Sequence, residues 1–465
     1  MTSRVRLRLS GRHHQHLQRA LCPGDGAEAV AFALCGRLST EACEVFCVHE
    51  VHPAPNTEYT ERAPDRVAWR TDWLVPLLMR AADHGWGLVK LHSHPTGHPS
   101  FSALDDEADR DLFPSIHGWT QDVPVHGSAV MLPDGQLFGR GVLDDGSFVP
   151  MDRVVVAGDL VNIWDVGADA STRPKWAERN AQVLGGSTVA LLSRLRIGVV
   201  GCSGTGSFVV ELLTRLGVGE LVLVDPDVID DVNLNRIIWA YRRHLGMLKV
   251  NVAAEHVTEV GLGTNVVPVP YDLASVVAVR GLAACDVLFG CMDSHDGRRL
   301  LNRLANFYVL PYFDCGVRID ADGVGGVDHI SGAVHYLQPG GSSLLSRGVV
   351  DNDRATAEAR RRADPQGYEQ IRDEGYLRGL PAGQAAVSSI NGMFASMAVN
   401  ELLARLHGFR SDNTAYAEQR FAVHDPYYDH GHEGAACKVL SRHVGRGNVK
   451  PLLDMPCLSE KPATA

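Results

Sequence analysis

Two histidines separated by one residue begin the segment of this chain that is richest in chemically active side chains. His92, His94, Ser102 and Asp105 lie within fourteen consecutive positions. Residues 86–91 (WGLVKL) are mostly apolar and predict a short strand, so His92 and His94 are expected to lie on one face of it. Ser102 is placed to cap a helix, which would carry Asp105 on its first turn.

Two neutral imidazoles and one carboxylate supply three protein ligands for Zn²⁺ and leave a fourth position for water. This ligand set is typical of a catalytic zinc rather than a structural one. Such a zinc lowers the pKa of its bound water to about 7. The alternative is a histidine-rich surface turn, but the joint register of the four side chains favours the metal. His98 lies outside that register, and we interpret it as a solvated loop residue.

With Pro95, these residues resemble the motif of the JAMM (JAB/MPN) metallopeptidases. The resemblance implies an α+β domain with a cytidine-deaminase-like sheet, and cleavage after the C-terminal glycine of ubiquitin or a ubiquitin-like protein. It also implies an upstream glutamate as general acid and base. Glu28, at the start of an apolar run that ends in glycine, is the first choice, with Glu44 and Glu50 as alternatives. By the same resemblance, Ser102 would stabilise the tetrahedral intermediate through a hydrogen bond.

A glycine-rich turn lies between a predicted strand and a predicted helix in the second half of the chain. Residues 196–200 (RIGVV) are followed by Gly201, Gly204 and Gly206, and a second apolar strand ends in Asp225. Glycines at these positions let the backbone approach phosphates at the helix N-terminus, and the aspartate can bind a ribose hydroxyl. This pattern alone would fit a dehydrogenase equally well.

The polar residues that follow favour ATP chemistry over hydride transfer. An enzyme that splits ATP between its α- and β-phosphates needs polar and cationic groups for the phosphates and a carboxylate for Mg²⁺. We interpret Asn233, Arg236 and Lys249 as the triphosphate-binding residues and Asp293 as the magnesium ligand. Arg236 and Asp293 would then also take part in catalysis.

The order and spacing of these residues resemble the adenylation domain of the ThiF/MoeB group of ubiquitin-activating-like enzymes, over about residues 175–440. The resemblance implies a Rossmann-like domain that adenylates the C-terminal glycine of a ubiquitin-like or sulfur-carrier protein and releases pyrophosphate. It also implies a homodimer formed through this domain. Relatives carry an upstream arginine that reaches the partner subunit's nucleotide. Whether Arg179 does so is left open, because the local match is poor.

Two departures from this family concern cysteine. Many relatives hold a structural zinc with two C-x-x-C pairs, but Ser343 and Ser346 occupy the positions of the first pair and only Cys437 remains near the second. Serine is a poor zinc ligand, so we predict that this second zinc is absent. A thioester-forming cysteine is also unclear. Cys315 is a weak candidate that is better interpreted as buried filler.

Composition limits the class of protein. The net charge of −11 argues against nucleic-acid binding. The ten cysteines are scattered without a C-x-x-C pair, which indicates a reduced, cytoplasmic protein. No apolar run reaches membrane-spanning length, and the N-terminus lacks the apolar core of a signal peptide.

From its 465 residues we expect an α/β chain of several parts. These are a JAB/MPN domain over 1–165, a linker over 166–174, a Rossmann-like ThiF adenylation domain over 175–445 and a flexible tail over 446–465. Three hypotheses remain for the whole chain. The first is a bifunctional enzyme that trims and adenylates a ubiquitin-like protein, the second a non-catalytic scaffold that binds its tail, and the third an adenylating enzyme for a sulfur carrier or small peptide.

Overall fold

The computed structural model describes residues 4–40, 43–166, 174–322, 324–366, 368–369 and 385–459. They form two compact units. The first contains residues up to 168 together with Asn306–Val309 and Arg442–Asp454, and the second contains the rest. The predicted linker lies outside the described residues except at its two ends.

The first unit is built on an eight-stranded sheet in the order β1-β3-β2-β6-β7-β8-β9-β10. Because β1 pairs with both β3 and β9, the strands from β1 to β9 close into a ring, which leaves few free edges. The strands of this sheet, with the separate hairpin β4–β5, are β1 Val5–Ser10, β2 Val30–Ser39, β3 Glu44–Pro53, β4 Tyr59–Ala63, β5 Arg66–Trp69, β6 Gly87–Ser93, β7 Val125–Met131, β8 Leu137–Leu143, β9 Phe148–Ala157 and β10 Val161–Asp165.

Three helices cover this sheet: α1 Gly11–Leu21, α2 Val75–His84 and α3 Ala103–Trp119. Strand β2 separates two apolar cores. Ala31 and Ala33 face one core and Phe32 and Leu34 the other, since successive side chains of a strand point to opposite faces. Strand β6 lies beside β2 and is buried along its whole length, so polar side chains on β6 are held in fixed surroundings.

The second unit contains another eight-stranded sheet, in the order β13-β12-β11-β14-β15-β16-β17-β18. The first five strands are parallel and the last three antiparallel. The chain leaves β11 toward β12 and later returns to its other side as β14, and ligands of such sheets bind at this reversal. The strands are β11 Arg196–Val200, β12 Glu220–Val224, β13 Asn265–Val269, β14 Val287–Gly290, β15 Tyr312–Ala321, β16 Val327–Leu337, β17 Glu418–Ala422 and β18 Tyr427–Gly431.

Seven helices accompany this sheet among the described residues: α4 Glu178–Leu192, α5 Gly204–Arg215, α6 Lys249–Val260, α7 Val276–Ala283, α8 His295–Phe307, α9 Asn352–Ala363 and α10 Ser388–His407. The mixed α/β class expected from the sequence is confirmed. No helix of the described part of the chain combines the length and apolarity needed to cross a bilayer.

Part of the predicted flexible tail is packed in the structure. Arg442–Asp454 belong to the first unit, and the side chains of Leu453 and Leu458 are buried. Burial of these apolar side chains favours a packed arrangement over an extended one. Residues 460–465 of the tail lie outside the described residues.

Candidate metal centre and nucleotide-binding cavity

The predicted metal ligands converge in the first unit. His92 Nε2 lies 3.1 Å from His94 Nε2 and 2.9 Å from Asp105 Oδ1, and His94 Nε2 lies 3.5 Å from Asp105 Oδ2. Tetrahedral zinc with bonds near 2.05 Å separates its ligand atoms by about 3.3 Å, so the three residues fit this ion. Among the described residues, this is the one group of His, Cys, Asp and Glu side chains close enough to hold a metal.

A backbone carbonyl fixes the orientation of His94. Its Nδ1 lies 2.9 Å from the carbonyl oxygen of His98, which places the Nδ1 proton there and leaves Nε2 free to bind a metal. This contribution of His98 could not be predicted from the sequence, because a carbonyl contact depends on loop geometry rather than on residue type. The His98 ring itself contacts Ser100 Oγ at 2.8 Å.

Ser102 holds Asp105 in place. The Ser102 hydroxyl accepts a hydrogen bond from the Asp105 backbone N–H at 3.2 Å and donates one to Asp105 Oδ2 at 2.8 Å. The Ser102 backbone N–H donates to the same carboxylate oxygen at 2.7 Å. This reciprocal cap begins α3 as the sequence predicted, and it directs the carboxylate toward the two histidines.

Electrostatics favour the protonation state that metal binding needs at His92 and Asp105, whereas at His94 a metal must displace a proton. Burial lowers the pKa of His92, which favours the neutral imidazole. Burial opposes ionisation of Asp105, but its hydrogen bonds with His92 and His94 outweigh burial and lower the pKa of that carboxyl. Burial also opposes protonation of His94, but the hydrogen bonds with Asp105 and the His98 carbonyl outweigh it and raise its pKa.

Glu28 lies just before β2, with its backbone held on both sides. Its N–H donates to the Ala63 carbonyl and its own carbonyl accepts from Arg62 Nε, each at 2.9 Å. The side chain is 6 % exposed, and burial raises its pKa to about 7. The charges of His94 and Asp105 also act on this carboxyl, so it lies within electrostatic reach of the metal ligands.

The two alternative glutamates are bound elsewhere. Glu44 pairs with Arg37 at 2.5 Å. Glu50 accepts two hydrogen bonds from Arg80, at 2.7 and 2.8 Å, and these lower its pKa to about 2. A carboxylate held in this way is a weak base, so Glu28 is the residue best suited to proton transfer near the metal ligands.

In the second unit, the glycine-rich turn requires glycine for steric reasons. Gly201 has a φ of +91°, which side-chain-bearing residues rarely adopt. A Cβ on Gly206 would lie 1.8 Å from the Gly201 carbonyl oxygen, and one on Gly204 would lie 2.2 Å from Asn391 Nδ2. The turn therefore brings bare backbone to the N-terminus of α5, as expected for a phosphate-binding loop.

Asp225 lies at the end of β12 and ties neighbouring loops together. Its carboxylate accepts hydrogen bonds from the backbone N–H groups of Cys202 at 2.7 Å and Asp227 at 2.9 Å. Burial raises its pKa. Lys249, the first residue of α6, places its Nζ 3.9 Å from Asp225 Oδ1 and 2.7 Å from Asp227 Oδ2.

These residues surround one cavity of about 1510 Å³. Asn233 is buried, and its Oδ1 accepts from the Asp230 N–H at 3.2 Å. Arg236 donates from Nη1 to the Val232 carbonyl and to Asn235 Oδ1. The predicted nucleotide-site residues that line the cavity are Gly201, Gly204, Asp225, Asn233, Arg236, Lys249 and Asp293, whereas Gly206 packs beneath the turn.

Sequence reasoning did not single out Asn391, which lines this cavity, and it left the roles of Cys315 and Arg179 undecided. Asn391, on α10, lies against Gly204 and accepts from Thr205 Oγ1 at 3.4 Å, although the sequence indicated only a core helix there. Cys315 lines the cavity but is 2 % exposed, and burial raises the pKa of its thiol. Arg179 is exposed on the first turn of α4 and does not line the cavity.

The positions of the family's structural zinc do not fit a metal. The Ser343 N–H donates to Ser346 Oγ at 2.9 Å, so these serines cap a turn. Arg347 Nη2 pairs with Glu433 Oε2 at 3.0 Å and joins the two segments that a zinc would join. Cys437 is buried nearby, and its N–H donates to the Gly341 carbonyl at 2.9 Å.

Comparison with known proteins gives two matches to family models: the ThiF family over residues 177–438, and prokaryotic homologs of the JAB domain over residues 10–134. Ubiquitin-like modifier-activating enzyme 5 of Culex quinquefasciatus is 28 % identical over 156 residues, which are 31 % of this chain and 37 % of that protein. The enzyme of the same name from Oryza sativa subsp. japonica is 28 % identical over 166 residues, 32 % and 37 % of the two chains. The chain thus spans less than two fifths of the length of these relatives.

Solved structures with a similar fold include E. coli MccB with MccA-N7isoASN and E. coli MccB with ATP. The first has a TM-score of 0.46 and 14 % identity, covering 58 % of this chain and 75 % of the other. The second has a TM-score of 0.44 and 16 % identity, covering 58 % and 74 %. With the family model matching more than half of its length, the chain belongs to the ThiF family, and it carries a JAB domain ahead of the ThiF domain.

Proposed function

We propose that the chain is a bifunctional enzyme that acts on the C-terminal glycine of a ubiquitin-like or sulfur-carrier protein. The first unit would hydrolyse the peptide or isopeptide bond that follows this glycine. The second unit would adenylate the freed carboxylate with ATP. The observation that supports the proposal most strongly is the convergence of His92, His94 and Asp105 within electrostatic reach of Glu28, a buried carboxyl whose pKa burial raises to about 7.

In the first unit, His92, His94 and Asp105 would hold Zn²⁺, which supplies an activated hydroxide at neutral pH and polarises the scissile carbonyl. Glu28 would accept a proton from the attacking water and pass it to the leaving amine. A pKa of about 7 suits a group that must both accept and donate. The Ser102 hydroxyl donates its one proton to Asp105 Oδ2 in the free protein. We propose that this proton turns to the oxygen that becomes negative during the attack, while the Ser102 backbone N–H continues to hold Asp105.

In the second unit, a carboxylate oxygen of the terminal glycine would attack the α-phosphorus of ATP. The bond from that phosphorus to the β-phosphate oxygen breaks, and pyrophosphate leaves. The glycine-rich turn, Asn233, Arg236 and Lys249 would bind the phosphates, and Asp225 the ribose hydroxyls. Mg²⁺ held by Asp293 would neutralise charge on the departing phosphates.

The two reactions are chemically sequential. Hydrolysis produces a free glycine carboxylate, and adenylation consumes one. We further propose a homodimer formed through the ThiF domain. A reducing, cytoplasmic location is also proposed, and it is supported by ten cysteines that are all free thiols.

The further fate of the acyl-adenylate depends on the acceptor. Cys315 is buried and its thiol pKa is raised by that burial, so it is poorly placed to form a thioester. This favours transfer to sulfur on a separate partner, or to another nucleophile, over a thioester on Cys315. The alternative to an enzyme is a non-catalytic scaffold that binds the tail without turnover.

Two assays on the full chain test the proposal. Cleavage of a fusion with a reporter joined after the terminal glycine should require Zn²⁺ and be lost in His92→Ala and Glu28→Ala. ATP–pyrophosphate exchange with a glycine-ended protein should be lost in Asp293→Ala. Cleavage that persists in both variants of the first site would exclude the peptidase, and exchange that persists in Asp293→Ala would exclude the magnesium assignment.

A further inference from the structure

A second cluster of charged side chains is buried next to the metal centre and has no part in the proposed mechanism. Lys90, Asp109 and Arg140 are 3 %, 0 % and 8 % exposed. Lys90 Nζ lies 2.5 Å from Asp109 Oδ1, and Arg140 reaches Asp109 Oδ2 from Nη2 at 2.6 Å and from Nε at 3.1 Å. Burying three charges has a large desolvation cost, so stability alone is a weak reason for their presence.

The spacing of this cluster matches that of the metal ligands. Lys90 precedes His92 by two residues on β6, so both side chains lie on the same face of the strand. Asp109 follows Asp105 by four residues on α3, so both lie on the same face of the helix. Two residues of a strand advance about 6.7 Å and four residues of a helix about 6 Å. The contact between Lys90 and Asp109 therefore joins the same strand and the same helix as the contact between His92 and Asp105, and lies next to it along both elements.

Arg140 extends the cluster to the loop between the ligands. Its guanidinium also pairs with Asp106, on the first turn of α3. It lies over the ring of Phe101 at 3.9 Å and over that of Phe148 at 3.7 Å. Phe101 immediately precedes the Ser102 cap, and its ring centroid is 6.4 Å from that of His92. One side chain of β8 thus fixes both the start of α3 and the end of the loop that leads to it.

We propose that Asp109, together with Lys90 and Arg140, positions the metal centre by fixing α3 at the distance from β6 at which Asp105 meets His92 and His94. This inference rests on the proposed zinc site. The two histidines are fixed by the sheet, but Asp105 belongs to a helix that the sheet's hydrogen bonds do not restrain. The ion pair of Lys90 with Asp109, one helical turn from Asp105, connects β6 to α3 and can set this distance. Asp109 is a positioning residue and does not contact the metal.

Zinc affinity of the full-length protein tests this inference, measured by competition with a chromophoric chelator using Zn²⁺ alone. Asp109→Asn removes the anion between Lys90 and Arg140 with almost no change in volume. We expect its zinc affinity to fall about 10–100-fold, the usual range for groups that orient metal ligands. The absorption spectrum of the Co²⁺ form should change as well, because it reports ligand geometry. Arg140→Lys keeps the charge but loses the bidentate contact with Asp109, and its zinc affinity should fall by a smaller factor.

Asp165→Asn is the matched control. Arg153 and Asp165 form another buried ion pair of the same unit, 2.6 Å apart, which joins β9 to β10 away from the ligands. This variant should lower the melting temperature while its zinc affinity and Co²⁺ spectrum stay as in the wild type. If Asp165→Asn weakened zinc binding as much as Asp109→Asn, a general destabilisation of the first unit would explain both results and the inference would be wrong.

The remaining outcomes separate this inference from the proposed function. Wild-type affinity and spectrum in Asp109→Asn would overturn the positioning role and leave the zinc site standing. Absence of zinc binding in the wild type would overturn both. If Asp109→Asn does not fold, Arg140→Lys decides, and wild-type affinity in that variant overturns the inference.

Discussion

The two proposed sites of this chain are built in opposite ways. The metal centre uses one strand, one loop and one helix, with its ligands in fourteen consecutive residues and their atoms within 4.8 Å of one another. The nucleotide site collects residues from Gly201 to Asn391 around a cavity of about 1510 Å³. The first is small and assembled before any ligand arrives, whereas the second is an open space whose residues pair with one another across loops.

This difference determines how each site should respond to substitution. Three ligands act on one ion, so the loss of one ligand should disable the whole metal centre. The phosphate-binding residues each contribute separate hydrogen bonds, so the loss of one should cause a graded decrease. The two sites should also fail independently of each other, because their residues lie in separate compact units.

The largest effect is expected for His92→Ala. Two ligands should hold zinc too weakly for function, so bound zinc and cleavage of the glycine-linked fusion should both fall to background. ATP–pyrophosphate exchange should stay at the wild-type rate, since the second unit contains its own residues for that reaction. Zinc content by atomic absorption and the two assays on the same sample measure this. Simultaneous loss of exchange would show that the sites are not independent.

A graded effect is expected for Lys249→Ala. The variant would lose one charge-assisted hydrogen bond to phosphate, worth about 1.5–3 kcal/mol. This corresponds to a decrease of about 10–150-fold in kcat/KM for ATP in the exchange reaction. Lys249→Arg, which keeps the charge, should recover part of the loss. Zinc content and cleavage should not change. An unchanged exchange rate in the alanine variant would remove Lys249 from the nucleotide site.

A smaller effect concerns the stability of the metal-free protein as a function of pH. Burial raises the pKa of Glu28 from 4.5 to about 7 in the folded state. The folded state therefore binds this proton more tightly than the unfolded state, and the associated stability declines as pH rises from about 4.5 to 7. Glu28→Gln lacks this dependence. Its free energy of unfolding should therefore increase relative to that of the wild type between pH 5 and pH 8. Urea unfolding in the presence of a chelator measures the difference, and parallel pH profiles would contradict the raised pKa.

The smallest effect is expected for Cys315→Ala. The thiol is buried and its raised pKa disfavours the thiolate, so exchange and transfer of the activated glycine should remain near wild-type rates. Gel electrophoresis without reductant should show no covalent intermediate that depends on this residue. A thioester that disappears in the variant would reverse this interpretation.

The sequence predicted most of the metal centre because its residues are neighbours in the chain. A strand, a capping serine and the first turn of a helix are local patterns, and they place His92, His94 and Asp105 together without knowledge of the remaining fold. Arg140 lies on a different strand, and its pairing with Asp109 depends on how β8 packs against α3, which no local spacing reveals. The carbonyl of His98 was missed because every residue has a carbonyl.

The nucleotide site was predictable only through the order of its motifs. Glycines between a strand and a helix have a steric meaning that the positive φ of Gly201 bears out. A single arginine or lysine, such as Arg236 or Lys249, carries no such signal in the sequence, although the structure buries Lys249. Asn391 comes from a helix almost two hundred residues after the glycine-rich turn, and its approach to Gly204 is set by packing. The predicted flexible tail shows the same limit of local patterns. Leu453 is buried in the folded chain, and burial by residues distant in the sequence cannot be predicted from the tail itself.

The most direct test of the central claim compares wild type with Glu28→Gln in cleavage of a glycine-linked fusion, with zinc content measured on the same preparations. We expect both proteins to bind one zinc per chain, and the rate of the variant to fall about 10²–10⁴-fold, the contribution of a general acid–base group. Equal cleavage rates at equal zinc content would contradict the account.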